Sequence, residues 1–326
     1  MQGLCEGRIQ TLAEIIINEI KQNFSQGLVV AFSGGEDSSL VAYLAKEALG
    51  PDRVILATVD FGPATYTKIR EQAKLNAQKL GLKHIIIDGT KKQRKILRYG
   101  PNCNACTREA KLGSVLEAFP SSVVATGANK SDSWGLTGLK FFGRLYSPLF
   151  DLRKDEIRKM VKLFQIPVAK AGESSFREGC KMKHLLKMLI NPNFHGRAVW
   201  ESNEILLSFL DEIGYKAELA NVKIIGPLSK NIALVNVQPF LPLEYEQKLI
   251  ERLKINCIDE IHVVKQPIKL RILANPGIYN DEKARQDIFM GFIQRDFAVP
   301  LKAEWIKSTN NRLRTFQVVG YEIDAG

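Results

Sequence analysis

At 326 residues and a formal charge of +11, the chain is long enough for two or three domains, and its charge favours an anionic partner, whether ATP alone or also RNA. Its apolar and charged fractions, 45% and 25%, are those of a soluble globular protein, and no apolar run approaches the ~20 residues of a membrane span. The opening Met1-Gln2-Gly3-Leu4-Cys5-Glu6 has no signal-peptide core, so a cytoplasmic protein without a membrane partner is expected, and the cysteines there do not read as a disulfide framework.

In chain order, Ile9, Leu12, Ile16, Ile20 and Phe24 recur at helical spacing and predict an amphipathic helix over 8–24. Strand patterns follow at 27–32, 53–59, 83–88 and 122–126, separated by helical patterns near 38–49, 66–81 and 106–118. Such alternation predicts a parallel sheet covered on both faces, with ligands beyond the carboxyl ends of the strands. Ser33, Asp60 and Gly127 would then share one rim. Arg153–Phe164 reads as a further helix, 173–198 as irregular, and 200–265 as helix, two strands, helix and strand. The last ~60 residues mix short apolar strands with turns. The expected fold class is α/β, a parallel-sheet nucleotide-binding domain over 1–185 with a smaller α+β domain over 186–265 and a C-terminal extension over 266–326.

The strand Leu28–Phe32 runs into Ser33-Gly34-Gly35-Glu36-Asp37-Ser38-Ser39 and then into a helical pattern. A strand, a glycine turn and a helix opening with Asp and Ser make an anion site, because successive N–H groups and the helix N-terminus converge on one spot. The kinase-type ending Gly-Lys-Ser/Thr and the GxGxxG spacing are both absent. The SGGxDS form resembles the PP-loop of the ATP pyrophosphatase superfamily. That resemblance implies ATP held by Ser33, Gly34, Gly35, Asp37, Ser38 and Ser39, Mg²⁺ bridging its phosphates, and attack on the α-phosphate.

Other constellations lie downstream. Cys103-Asn104-Ala105-Cys106 opens a helix, and Cys180 follows far along the chain. Two thiolates two residues apart can bind one metal centre, and three ligands leave a four-iron cluster one open iron. Zinc, with His184 as a fourth ligand, is the alternative metal, and a redox dithiol or inert cysteines are the others. In Thr126-Gly127-Ala128-Asn129-Lys130-Ser131-Asp132, Gly127 permits close approach to a nucleotide, while Asn129 and Asp132 offer hydrogen bonds or a Mg²⁺ ligand. Arg144, before Tyr146-Ser147-Pro148-Leu149, offers charge to phosphate or lies on the surface. The basic groups Lys91–Lys95 and Lys181–His184 read equally as solvated faces.

The loop at 33–39, the CNAC pair, TGANKSD at 126–132, YSPL followed by the Lys154–Arg158 helix, and the late Cys180 come in one order. That order is similar to PP-loop sulfurtransferases, LarE-like by the residues after 185, with tRNA thiolation enzymes of the TtcA and TtuA type as second choice. The resemblance implies an enzyme, an expected homo-oligomer, that adenylates the oxygen of a small-molecule carboxylate or of tRNA, releasing pyrophosphate. Sulfur from sulfide or a persulfide carrier would then displace AMP, through a [4Fe-4S] cluster on Cys103, Cys106 and Cys180. Asp37, Arg144 and Cys180 are the residues assigned to catalysis. Rival readings are a PP-loop amidotransferase or ligase, which delivers nitrogen, and a zinc-stabilised RNA-binding module.

Overall fold

The computed structural model describes residues 2–131, 139–168 and 180–323. They divide into two compact units, one of Met1–Gly62, Thr67–Thr90 and Thr107–Ala171, the other of Pro63–Tyr66, Lys91–Cys106 and Gly172–Gly326.

The first unit is built on strands β1 (Leu28–Ala31), β2 (Val54–Asp60), β3 (Lys83–Asp88), β4 (Val124–Ala125), β5 (Phe141–Phe142) and β6 (Leu145–Tyr146). Their order is β3-β2-β1-β4-β6-β5, parallel throughout except for the β5–β6 hairpin at one edge. The helices up to residue 168 are α1 (Gln2–Asn23), α2 (Glu36–Leu49), α3 (Thr67–Leu80), α4 (Thr90–Leu97), α5 (Cys103–Ala105), α6 (Gly113–Ala118) and α7 (Lys154–Leu163). A π-helical stretch, Cys106–Leu112, joins α5 to α6.

The central strand is apolar on both faces because both are covered. Leu28, Val30 and Phe32 join one core with Ile16 and Ile20 of α1, Leu40 and Leu44 of α2, Ala77 of α3, and Ile157 and Met160 of α7. Val29 points the other way, into a smaller core with Val115 of α6 and Val124 of β4. Period-two alternation along the strands therefore sorts the side chains between two helical layers. The four strands read from sequence are all present. The helix α4 and the two-residue β5 and β6 are additions; α4 carries only two apolar residues among its lysines and arginines, too few to mark a helix in the sequence.

The second unit holds two three-stranded sheets. Strands β7 (Leu219–Ile225), β8 (Ile232–Gln238) and β9 (Glu260–Val263) form one, in the order β7-β8-β9. Strands β10 (Ile268–Ala274), β11 (Leu301–Lys307) and β12 (Phe316–Ile323) form the other, in the order β11-β10-β12. Besides α5 and all but the first residue of α4, its helices are α8 (Arg197–Glu212), α9 (Leu243–Leu253), α10 (Pro276–Asn280) and α11 (Glu282–Ile288). The helix–strand–strand–helix–strand pattern expected over 200–265 is present. Residues on both sides of position 265 share one core, with Ile225 and Leu234 packed in the same cluster as Leu270 and Ile272. Asn203 of α8 fastens that helix to β7, its amide exchanging two 2.9 Å hydrogen bonds with the Val222 backbone. Among the described residues no helix is long and apolar enough to cross a membrane.

Candidate active site

The loop Ser33–Ser39 stands at the carboxyl end of β1. The strand order places β1 between β2 and β4, so its end is the switch point where an open parallel sheet forms a crevice. The local fold follows from the residues. Gly34 has φ +69, which side chains rarely adopt, and a Cβ there would stand 3.1 Å from Ala73 Cα. Ser38 crosses the loop: its Oγ accepts from Ser33 N and donates to Gly35 O, both at 3.2 Å. Asn76 of α3 donates from Nδ2 to Gly34 O at 3.2 Å. Gly35 is the N-cap of α2, so the first N–H groups of that helix have no intrahelical acceptor and their dipoles favour an anion. Ser39 Oγ is fully buried and, among the described residues, has no hydrogen-bond partner.

Gly127, after β4, packs against this helix start. A Cβ built on it would lie 2.8 Å from Asp37 Cβ and 3.3 Å from Ser38 N, so the approach depends on glycine. Asn129 is buried and serves its own loop, accepting from Ser131 N at 3.0 Å. Asp132 lies outside the described residues. Asp60, at the end of β2, is held by Arg70, whose Nε is 3.0 Å from Oδ2, and by Gly62 N at 3.1 Å.

One side chain beside the loop was not among the residues singled out from the sequence. Lys154, at the start of α7, sets its Nζ 2.5 Å from Asp37 Oδ1 and 3.3 Å from Glu36 Oε2. Arg158 one turn later is 3.6 Å from Glu36. Two cations thus balance the two acids of the first turn of α2. The Lys154–Asp37 pair spans 117 residues, and no local pattern announces a contact at that separation.

Arg144 is placed elsewhere. It precedes β6, and its guanidinium donates to Leu116 O, Phe119 O and Ser122 O at 3.0, 2.7 and 3.1 Å. There it closes the carboxyl end of α6, whose last carbonyls lack helical partners.

Cys103, Cys106 and Cys180 belong to the second unit. Cys103 is exposed, Cys106 is buried, and Cys180 accepts from Gln93 Nε2 at 3.1 Å. Among the described residues no three His, Cys, Asp or Glu side chains stand together as a metal would require.

A sequence profile described as NAD synthase matches residues 8–170, half of the chain, including the loop, α3, Gly127 and Lys154. The chain belongs to the NAD synthase family. Similar proteins are named NH(3)-dependent NAD(+) synthetase. That of Pyrococcus furiosus is 31% identical over 170 residues, 47% of this chain and 62% of its own length. That of Methanocaldococcus jannaschii is 32% identical over 177 residues, 49% and 66%. That of Methanococcus aeolicus is 28% identical over 195 residues, 54% and 75%. The chain therefore spans less than two thirds of the length of the first two.

NAD synthases share the PP-loop ATP pyrophosphatase superfamily, so the coarser expectation stands. The LarE-like sulfurtransferase does not, nor do tRNA thiolation and the RNA-binding module. The family and the names of its members point to NAD synthesis, and the iron–sulfur assignment of Cys103, Cys106 and Cys180 falls with it. The physical reason is that an SGGxDS loop grips the leaving pyrophosphate and carries no information about what attacks.

Proposed function

We propose that the first unit adenylates a carboxylate with ATP and that ammonia then converts the adenylate to an amide, the chemistry implied by the names of the relatives. The observation that carries this reading is the Ser33–Ser39 loop at the sheet's switch point in a chain of the NAD synthase family. NAD⁺ contains a nicotinamide, so its ammonia-dependent synthesis requires the matching nicotinate dinucleotide as acceptor.

In this reading the N–H groups opening α2 bind the β- and γ-phosphates of ATP. Lys154 adds its ammonium to the same charge, beside Asp37. Asp37 is a partly exposed hard carboxylate, the donor type Mg²⁺ takes together with phosphate oxygens, and would hold that ion as it offsets phosphate charge. The acceptor's carboxylate oxygen bonds to the α-phosphorus, and the bond to the bridging oxygen breaks with its electron pair leaving on pyrophosphate. Ammonia nitrogen then bonds to the acyl carbon, loses a proton, and AMP departs with the acyl oxygen's electron pair. Holding the reactants in line is the protein's main contribution.

The test is purified chain with Mg-ATP, nicotinate adenine dinucleotide and ammonium, followed by NAD⁺ and pyrophosphate. One NAD⁺ per pyrophosphate, with every component required, is expected. Pyrophosphate release only with a different carboxylate would move the acceptor, and no release with any acceptor would overturn adenylation.

A further inference from the structure

Asn76 is 2% exposed on the inward face of α3, among Ile69, Ala73, Ala77 and Leu80. An amide there is costly to bury unless it is hydrogen-bonded, and its Nδ2 donates to the carbonyl of Gly34 at 3.2 Å. That bond adds to those that hold the loop from within. Ser38 Oγ fixes Ser33 N on one side and Gly35 O on the other, and Ser39 N adds a 2.9 Å bond to Gly35 O. Between those anchors lies the Gly34–Gly35 peptide. With glycine on both sides it meets little steric resistance to turning over. The carbonyl and N–H of a trans peptide point in opposite directions. Tying Gly34 O to α3 therefore turns Gly35 N–H away from that helix and keeps it there.

We propose that Asn76 is a positioning residue for the phosphate loop, holding the Gly34–Gly35 peptide so that Gly35 N–H donates to the pyrophosphate portion of a nucleoside triphosphate. The inference rests on the assignment of this loop to ATP. Asn76 touches no substrate and acts through the peptide it holds.

Binding of Mg-ATP, Mg-pyrophosphate and AMP to wild type, Asn76→Asp and Asn76→Leu, measured by calorimetry, tests it. The Asp variant keeps the volume and loses the donor; the Leu variant keeps an apolar fit. Dissociation constants for ATP and pyrophosphate should rise about tenfold in both, the scale of one hydrogen bond to a charged group, with AMP unaffected. Unchanged ATP and pyrophosphate binding in either folded variant, or an equal loss for AMP, overturns the proposal. Should neither variant fold, the Gly35 amide resonance of the wild-type chain must shift with pyrophosphate and not with AMP, and an unmoved resonance overturns it. A wild-type chain that binds neither ATP nor pyrophosphate refutes the ATP loop itself, a result distinguishable from failure of Asn76 alone.

Discussion

A Cβ at Gly127 would stand 2.8 Å from Asp37 Cβ and 3.3 Å from Asp37 C, contacts that no side-chain rotation relieves. Gly127→Ala should therefore push the loop after β4 off the start of α2, destabilising the protein by about 1–3 kcal/mol, as overpacking does. Isothermal titration should show weaker ATP binding in the same variant. Lys154 makes a separate prediction. Its ammonium is the cation nearest Asp37, and Lys154→Ala should cut kcat/KM for ATP by about 100-fold, the scale of losing one charged stabiliser of a phosphoryl transition state. Lys154→Arg should recover part of that loss in the same pyrophosphate-release assay. Both residues lie in or beside motifs visible in the chain. The glycine's steric need and the lysine's partner were not visible, because each depends on a contact from a remote segment.

At the level of elements, the sheet was legible because β1, β2 and β3 are short apolar runs bounded by turns and spaced by helical periodicity. The helix read as 106–118 begins three residues earlier, where Asn102 Oδ1 accepts from Ala105 N at 3.0 Å and caps α5. Arg144 illustrates a role that only element packing assigns. Its three carbonyl partners end α6 and the turn after it, so Arg144→Ala should lower stability by about 1 kcal/mol, the usual net worth of such bonds. Thermal unfolding should report that loss while KM for ATP stays at the wild-type value. A raised KM with unchanged melting would return the arginine to the phosphate.

For the whole molecule, two expectations separate stability from chemistry. In the second unit Lys187 is buried, and its Nζ donates to Pro227 O and Lys230 O at 2.5 and 2.8 Å. Burial lowers its pKa from 10.5 to about 8. Between those values the unfolded chain holds a proton that the folded chain has released, so this group's contribution to stability rises with pH across that window. Below it, both states are protonated and the burial penalty is fully present. Urea unfolding of wild type against Lys187→Met from pH 7 to 10.5 should show a rising difference of up to about 3 kcal/mol. The cysteines supply the chemical expectation: anoxically purified protein should carry no stoichiometric iron or acid-labile sulfide, and Cys103→Ala should leave amide formation intact. Cluster iron lost in that variant would restore sulfur chemistry. The parallel α/β core and the strand–glycine turn–helix at Ser33–Ser39 were legible in the chain alone, because hydrophobic periodicity and a glycine turn between strand and helix are local properties. Tertiary structure decided the rest: Lys154 reaches Asp37, Asn76 reaches Gly34, and Arg144 closes α6. Hydrogen bonds and ion pairs between distant segments leave no periodic mark in a sequence, so only the folded chain could assign these side chains their partners.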